Sequence, residues 1–521
     1  MKQILQKFSL DINKEDLKAL IISFLIINFA FLFHTLNFMW GNHDVKFIKE
    51  ELLLSSGLFE GRFTQFIPYR LLVNGQILPI LNNLLGFLFL TLALFVLARY
   101  WKLKKSKLNY ILFITFFATQ PYTLSWLYFT FITISCLLWT FFAILGLHLS
   151  SYIASSKHKV LLSIISIICF YLPLGGYPPI INTFFVCLSA KITLSYLFEK
   201  QTIKELFHTH KYTILNIFIS AILFKLTLLI ISPDNVYNLE TTPLKDLPLK
   251  FISTLKIAFF QFFVTVPFME KGYKITLFIM SFLSIIGAIF APKNIKNKCF
   301  MLLLIIATIW LTSLTTFLVI PPTQYVSRID FFGFGFLYVF FLCLLLNLQP
   351  KIFESFGILF GLILIFFNIL NDLHAQKVWK QGFDAEFQIL DSVVEQIEAN
   401  PNFNKNKTYR FYQAGDVSLR PSYYNEKFSY DDVFLHSLPY LAMWQGDNLI
   451  QFYSPFNYIQ KPSVILPSDI TPEVYDFIIN KATPYPHPNS ILVTNNIILV
   501  IYDKYGLNNL KYKVQQLYPQ N

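Results

Sequence analysis

The chain has 521 residues, of which 55% are hydrophobic, 18% are aromatic and only 14% are charged, and its net charge is +12. A soluble protein ordinarily carries about a quarter charged residues, so this composition argues against a soluble enzyme and indicates a polytopic membrane protein. The cations lie in short segments between apolar runs, not on one module, which argues against nucleic-acid binding.

Apolar runs of roughly membrane-spanning length follow one another through residues 1–372. With about 20 residues needed per span, they predict a bundle of about eleven transmembrane helices, although the third and fifth runs are short. The runs lie near 19–40, 77–98, 108–121, 124–148, 160–174, 178–198, 212–232, 273–291, 299–319, 331–348 and 353–372.

The segments between these runs alternate in charge. Cationic segments lie at the N-terminus and near 99–107, 157–159, 200–211, 293–298 and 351, while segments 41–76, 120–123, 172–179, 233–272 and 320–330 lack cations or balance them with acids. By the positive-inside rule the cationic set is cytoplasmic. The N-terminus is therefore predicted inside, and the segment 41–76 and the C-terminal tail outside.

The apolar half of the external loop 233–272 is interrupted by Lys256, Gln261 and Pro267. These interruptions favour an interfacial or re-entrant helix over a span. If this helix did cross the membrane, the tail would be cytoplasmic.

Residues 373–521 predict a small α/β domain. A helical apolar pattern stops at Asn400-Pro401, TYRFYQ at 408–413 is typical of a strand, and ILVTNNIILVIY at 491–502 is typical of a hairpin. Ser429 resembles the start of a capping box, and Thr471-Pro472 predicts a helix start. The five cysteines all lie in apolar runs and are expected to be small buried hydrophobic residues.

The most polar stretch between spans is Trp40–Arg70, and its Asp44 lies just past the first apolar run. A carboxylate there can act as a general base toward an attacking hydroxyl. The alternative is an acid at a helix end that simply faces water. His43 beside it has no third metal ligand at a diagnostic spacing, so no cofactor is expected and a divalent metal is left open.

Cations near the outer ends of spans can bind a lipid phosphate. Arginine does so with a bidentate fork, which makes Arg62, Arg70 and Arg328 candidates. Their alternative is headgroup anchoring or ion pairing, for example with Glu60 or Asp330. Lys225 lies within the seventh run and is either functional or snorkels to the interface.

Three stretches resemble one known family. Asn42-His43-Asp44 with Gly61-Arg62-Phe63, then LPLGGYPPIINTF at 172–184, then PPTQYVSRIDFFGFG at 321–335 are similar, in order and topology, to the glucosyl transferase II (Gtr-type) membrane proteins. These are glycosyltransferases of the GT-C class. The resemblance covers about 19–372 and fades in the tail. The chain departs from the family at Pro178, where glutamine is usual, and at Phe63, where tryptophan is usual.

The resemblance implies a GT-C-like bundle in the bacterial inner membrane. It would transfer a sugar, typically glucose, from undecaprenyl phosphate to a surface polysaccharide such as lipopolysaccharide O-antigen on the periplasmic side. Asp44 would be the catalytic base, Arg62, Arg70, Arg328 and Lys225 would bind the donor phosphate, and the sugar or acceptor would contact Asn42, His43, Glu60, Tyr177 and Gln324. A transporter or flippase for a lipid-linked saccharide, and a non-catalytic scaffold, are the alternatives.

Overall fold

The computed structural model describes residues 11–37, 39, 52–232, 246–264, 271–292, 294–318, 327–415, 458–460 and 465–517. Within these residues the chain forms two compact units that divide between Gln376 and Lys377. The first is almost entirely helical, and the second combines helices with a sheet. Each unit is described by itself below.

The described helices of the first unit correspond closely to the apolar runs of the sequence. They are α1 (Lys14–Ala30), α2 (Leu32–Leu36), α3 (Ile67–Val73), α4 (Pro79–Tyr100), α5 (Lys107–Ala118), α6 (Pro121–Leu127), α7 (Thr130–Ser150), α8 (Lys159–Gly176), α9 (Ile181–Phe198), α10 (Ile203–Ile231), α11 (Leu247–Val264), α12 (Lys271–Phe290), α13 (Ile295–Leu311), α14 (Leu314–Leu318), α15 (Ser327–Phe331), α16 (Phe334–Asn347) and α17 (Ile352–Glu398), which continues into the second unit.

Eight helices in the described part of the chain are long and apolar enough to cross a membrane. The polytopic membrane character predicted from composition therefore agrees with the structure. Three of the eleven predicted runs fall in shorter helices, α1, α5 and α13, of 17, 12 and 17 residues, so the count of eleven stays a prediction. Helix α11 has 18 residues and is not among the eight.

Helix α16 lies at the centre of the first unit. The whole apolar window Ile329–Asn347 is buried, whereas helix α10 buries only 22% of its window. A helix that is apolar all round and exposed on most faces fits a lipid environment. Four of the cysteines are buried as expected, but Cys299 is exposed on the surface of α13.

A buried ion pair joins α1 to α4. Asn13 caps α1 by accepting hydrogen bonds from the backbone N–H groups of Glu15 and Asp16, and the Asp16 carboxylate accepts one from the Asn13 N–H. That carboxylate also lies 2.6 Å from the Arg99 guanidinium, with both side chains 5% exposed. The guanidinium packs over the ring of Tyr110 at 5.3 Å, so the pair is enclosed by apolar surface.

A second charged cluster lies where α9 ends. Lys191 is buried and donates a hydrogen bond to Glu199 at 2.7 Å, while Lys102 donates to the other carboxylate oxygen at 2.6 Å. Partial burial raises the pKa of Glu199, but the two ammonium groups outweigh that effect and lower it to about 2. The ionised carboxylate is thus what makes a buried lysine tolerable.

The second unit is built on a small sheet of strands β1 (Tyr409–Ala414), β2 (Tyr458–Gln460), β3 (Ile491–Val493) and β4 (Ile497–Ile501). Their order is β2-β1-β4-β3, in which β1, β2 and β4 are parallel and β3 pairs antiparallel with β4. The predicted strand and hairpin are confirmed. The Thr494 hydroxyl accepts the N–H groups of Asn496 and Ile497 at the hairpin turn.

Helices cover both faces of this sheet. On one face the end of α17, with Ile389, Leu390, Val393, Val394 and Ile397, packs on Phe411, Ile498 and Val500. On the other, α18 (Pro472–Asp476) and α19 (Lys504–Leu517) pack on Tyr412, Leu499 and Ile501. Alternate residues of β1 and β4 serve the two faces, as the period of a strand requires. Thr471 caps α18 by accepting from the Val474 N–H, as predicted. The predicted cap at Ser429 lies outside the described residues.

A polar group is enclosed on the second of these faces. The Asp469 carboxylate accepts hydrogen bonds from the Arg410 guanidinium and the Tyr412 hydroxyl. Burial, and after it this hydrogen bond to a carboxylate, raise the pKa of Tyr412 to about 12. The aspartate is itself buried, so the pair of donors compensates its charge.

The Lys191–Glu199 pair generates a stability prediction. Glu199→Gln removes the charge opposite a buried ammonium, and we expect a loss of about 3–5 kcal/mol, measured as thermal unfolding in detergent. The double variant, Glu199→Gln with Lys191→Met, should recover most of the lost unfolding free energy, because no buried charge is left. If the double variant is as unstable as the single one, the pair does not contribute as described.

The same pair sets a pH dependence. Because the folded pKa of Glu199 is lowered to about 2 from an ordinary 4.5, its contribution is complete above pH 4.5 and is lost as the pH falls toward 2. The stability difference between the wild type and Glu199→Gln should therefore shrink over that interval. A constant difference down to pH 2 would contradict this assignment.

Candidate functional site

A tight turn holds Glu60 and Arg62 side by side within the segment 41–76, which the sequence predicts to be external. The 3₁₀ helix Leu54–Glu60 ends at Gly61, whose φ is +70°, and the Arg62 N–H donates to the Gly57 carbonyl at 2.8 Å. A Cβ on Gly57 would lie 2.3 Å from the Arg62 carbonyl oxygen. The close approach of the two backbones therefore requires glycine at position 57, and Gly61 supplies the left-handed conformation.

Arg62 is held from two directions. Its guanidinium lies 2.8 Å from the Glu60 carboxylate and 5.3 Å from the centre of the Tyr177 ring. The Arg62 side chain is 15% exposed and that of Glu60 is 44% exposed. The ion pair of the alternative interpretation is thus present. This ion pair orients the Arg62 guanidinium, which is largely desolvated, whereas the Glu60 carboxylate remains open to solvent.

Residues 63 and 64 fasten this turn to the end of α8. The Thr64 N–H donates to the Gly175 carbonyl at 3.0 Å, and its hydroxyl donates to the Leu172 carbonyl at 2.6 Å. The Phe63 ring covers Gly175 so closely that a Cβ there would lie 2.5 Å from the ring. Phe63 also packs on Tyr171, with ring centres 5.5 Å apart. The Phe63 side chain is therefore a packing contact with α8.

Tyr177, the residue that follows α8, is buried. It is 5% exposed because Trp126 packs edge-on against it at 5.1 Å and Phe332 lies 5.6 Å away. The first of these partners comes from α6 and the second from the turn between α15 and α16. A contact between Tyr177 and a sugar stays a prediction.

The buried amide of Asn182 ties the same region to the segment before α15. Its Nδ2 donates to the Thr312 carbonyl at 2.9 Å, and its Oδ1 accepts from the Thr315 N–H and hydroxyl at 2.8 and 2.7 Å. Next to it, the Thr183 hydroxyl donates to the Phe332 carbonyl. Sequence reasoning missed Asn182. The only signal was an amide within an apolar run, where each polar group needs a partner.

Described parts of all three stretches that carry the family resemblance therefore meet. Residues 62–64 contact 171–177, and residues 177 and 183 contact Phe332. Arg328 lies in α15, less than two turns before Phe332, and its side chain is outside the described residues. Asn42, His43, Asp44 and Gln324 also lie outside them.

The other two candidate cations occupy different positions. Arg70 lies on α3, and its guanidinium donates to the Asn74 carbonyl at 3.3 Å. Lys225 is exposed on α10, whereas its neighbour Phe224 packs on Phe63. An exposed lysine there is what snorkelling predicts. The roles of both in phosphate binding stay predictions.

The first unit also contains a small cavity and a row of buried polar side chains. A cavity of about 230 Å³ lies among the cationic loops, and none of its lining residues belongs to the candidate site. It is lined by Trp101, Lys102, Lys104, Leu194, Phe198, Glu199 and Asn347.

Along α17, Asn368, Asp372 and Gln376 are fully buried at four-residue spacing. Neither Asp372 carboxylate oxygen has a hydrogen-bond partner among the described residues. Sequence reasoning missed this stripe, although its spacing was readable.

No group of three or more His, Cys, Asp and Glu side chains in the described part of the chain could hold a metal ion. No known protein family, curated protein or solved structure shows a significant match to this chain.

The contact between Phe63 and Gly175 generates a prediction with a matched control. Gly175→Ala inserts a methyl group into the Phe63 ring and should destabilise the protein by about 1–3 kcal/mol, measured by thermal unfolding in detergent. Gly361→Ala, where the nearest atom would lie at an ordinary 3.5 Å, should have little effect, since alanine is otherwise the better helix residue. Equal behaviour of the two variants would contradict the packing described.

Proposed function

We propose that this protein is a bacterial inner-membrane glycosyltransferase of the GT-C type, with about eleven membrane spans. In this proposal it transfers a sugar, glucose, from undecaprenyl phosphate to a surface polysaccharide such as lipopolysaccharide O-antigen on the periplasmic side. The observation that carries the proposal is the meeting of described parts of the three family-like stretches around Tyr177. Stretches separated by more than 100 residues in the chain share one structural neighbourhood, as a common site requires.

The reaction needs a base and an anion site. The acceptor hydroxyl attacks the anomeric carbon, its proton passes to the Asp44 carboxylate, and the bond from that carbon to the phosphate oxygen breaks. The lipid phosphate leaves with the bonding electrons. It gains negative charge as it leaves, so a nearby guanidinium stabilises the transition state more than the bound donor.

Arg62 has the geometry that supports an anion-binding role. Its side chain is largely enclosed, so its charge is less screened by water than that of a surface arginine. Glu60 and Tyr177 fix its orientation, which lowers the entropy lost on binding. A phosphate would share or displace Glu60, whose solvent-exposed carboxylate can return to water. Arg70, Arg328 and Lys225 complete the donor site in this proposal, with Asn42, His43, Glu60, Tyr177 and Gln324 toward the sugar and acceptor.

One observation favours the alternative, a transporter or flippase of a lipid-linked saccharide. Asp372 is a buried carboxyl group within a candidate span, and intramembrane ionisable groups are common along transport pathways. The two functions differ in chemistry. A transferase given donor and acceptor releases undecaprenyl phosphate, whereas a flippase moves the donor across the bilayer without cleaving it.

The base assignment generates a direct prediction. Asp44→Asn keeps the size of the side chain but removes its basicity, and sugar transfer by the purified protein should fall by at least about 100-fold. The protein should remain folded and inserted. Glu51→Gln, in the same polar stretch, is the matched control and should retain transfer. Normal transfer by Asp44→Asn would refute the assignment.

The proposed orientation can be tested by labelling. In a background without the five native cysteines, Asn495→Cys at the exposed hairpin turn and Lys157→Cys in the α7–α8 loop are treated with a membrane-impermeant maleimide on intact spheroplasts. The residue at 495 should be labelled directly, and that at 157 only after permeabilisation. Labelling of neither position before permeabilisation would place the tail in the cytoplasm, as expected if α11 crosses the membrane.

A further inference from the structure

A fully buried carboxyl group lies within the candidate span of α17. Asp372 belongs to the apolar helical window Ile352–Gln381 and has no exposed surface. Neither of its carboxylate oxygens has a hydrogen-bond partner among the described residues, and no cation in that part of the chain forms an ion pair with it. An acidic side chain inside a membrane ordinarily pairs with a charge or a donor, so the missing partner of Asp372 needs an explanation.

The polar side chain one turn before Asp372 presents an acceptor and not a donor. The Asn368 Nδ2 is directed to α5 and the residue after it, toward the Phe116 carbonyl at 3.5 Å and the Thr119 hydroxyl at 3.4 Å. The Asn368 Oδ1 is buried and has no hydrogen-bond partner among the described residues. Side chains four residues apart on a helix are neighbours. An unpartnered amide oxygen therefore lies on the same helix face as the unpartnered carboxyl group.

The side chains after Asp372 on α17 also supply no donor to its carboxyl group. The Gln376 Nε2, one turn later, donates to the carbonyls of Ala30 and Asp372, each at 2.9 Å. These two bonds use both hydrogens of the amide. The Gln376 Oε1 accepts from the His34 N–H of α2 at 2.9 Å, so this histidine faces the glutamine. His374 projects from a different face, because two residues rotate a helix by about 200°.

Helix α12 places a tyrosine opposite the carboxyl group. Tyr273 is buried, and its hydroxyl lies within electrostatic range of Asp372 without forming a hydrogen bond to it. A phenol is neutral at physiological pH, so it does not balance a negative charge. The nearby lysines of the same helix, Lys271 and Lys274, form no ion pair with Asp372. The described groups that face the carboxyl group therefore leave its ionised form uncompensated.

A proton resolves this arrangement. An isolated carboxylate transferred from water to an apolar interior is so unfavourable that the group takes up a proton instead. Protonation removes the charge and turns one carboxyl oxygen into a donor. The Asn368 Oδ1 is then an available acceptor one turn away on the helix. One proton thus gives partners to two side chains that otherwise have unpartnered oxygens.

We propose that Asp372 is a proton-binding site in the interior of the first unit, at which the protonated carboxyl group donates a hydrogen bond to the Asn368 side-chain oxygen. The proton comes from water and returns to water when the group ionises. Hard metal cations such as Mg²⁺ and Ca²⁺ take six or more oxygen ligands, whereas Asp372 and Asn368 offer three unpartnered oxygens. This inference rests on burial and hydrogen bonding and is independent of the proposed function.

The bound proton is tested by infrared spectroscopy of the purified full-length protein in lipid nanodiscs at pH 7. A protonated carboxyl group has a C=O stretching band separate from the bands of carboxylates and amides. We expect such a band in the wild type and its loss in Asp372→Asn. The matched control is Asp384→Asn, on the same helix. The Asp384 side chain is 52% exposed and ionised at pH 7, so this variant should keep the band.

Asn368→Leu tests the partner of the proton and covers the case in which Asp372→Asn does not fold. Loss of the acceptor should shift the carboxyl band to the frequency of a group without a hydrogen bond. Absence of the band from the wild type, its survival in Asp372→Asn, or an unchanged frequency in Asn368→Leu would overturn the inference.

The proton also determines a pH dependence of stability. The folded protein keeps the proton, whereas in the unfolded chain the carboxyl group meets water and ionises above about pH 4. The unfolded state then binds fewer protons, so a rising pH favours unfolding. Between pH 5 and pH 8, the unfolding equilibrium constant of the wild type should rise relative to that of Asp372→Asn, by up to about tenfold per pH unit. A constant ratio of the two constants would contradict the proposal.

A sodium ion as the occupant is tested by exchange of salts. Sodium chloride is replaced by choline chloride at equal ionic strength and pH 8, and the unfolding equilibrium is measured again in detergent. With a proton at Asp372, the unfolding constant of the wild type should not change. Stabilisation by sodium that is present in the wild type and absent in Asp372→Asn would identify sodium as the ligand and overturn the assignment of a proton.

Discussion

Polar groups inside a bilayer have no water to bond with, and this constraint accounts for the contacts that organise the first unit. The buried pair of Asp16 and Arg99 joins two helices because neither charge could be buried alone. The Asn182 amide forms three hydrogen bonds, to the Thr312 carbonyl and to the N–H and hydroxyl of Thr315. The Gln376 amide accepts from the His34 N–H and donates to the Ala30 carbonyl. In each case a side chain that would be ordinary on a soluble protein links distant parts of the chain.

The candidate site depends on close packing, in which aromatic rings occupy the space that a Cβ would fill at two glycines. Gly175 accepts Phe63, and a Cβ on Gly176 would lie 2.3 Å from the Trp139 ring. The end of α8 can therefore approach the turn that presents Arg62 and also pack into the bundle. Tyr177 follows these two glycines in the chain and is buried as well. As a result, the Arg62 guanidinium lies over the Tyr177 ring and forms an ion pair with Glu60, whose carboxylate is open to solvent.

Much of the architecture was readable from sequence because hydrophobic length and period are strong signals. The apolar runs predicted the candidate membrane spans, and TYRFYQ and ILVTNNIILVIY predicted the strand and the hairpin. The buried polar links were not predicted. The spacing placed Gln376 on one helix face with Asn368 and Asp372, but its partners lie at a helix break more than 300 residues away, which the local sequence does not reveal. The burial of Tyr177 was not predicted either, because Trp126 and Phe332 cover it from distant positions in the chain.

Helix α17 has a consequence for how the protein is made. Its early turns belong to a candidate span, and its last turns supply the apolar side chains that cover one face of the β-sheet. A fragment that begins after Asn400 would expose Phe411, Ile498 and Val500 to water. The last turns of α17 are therefore a required part of the second unit. Proteolytic removal of the chain at the loop before β1 would likewise expose the apolar side chains in the last turns of α17 to water.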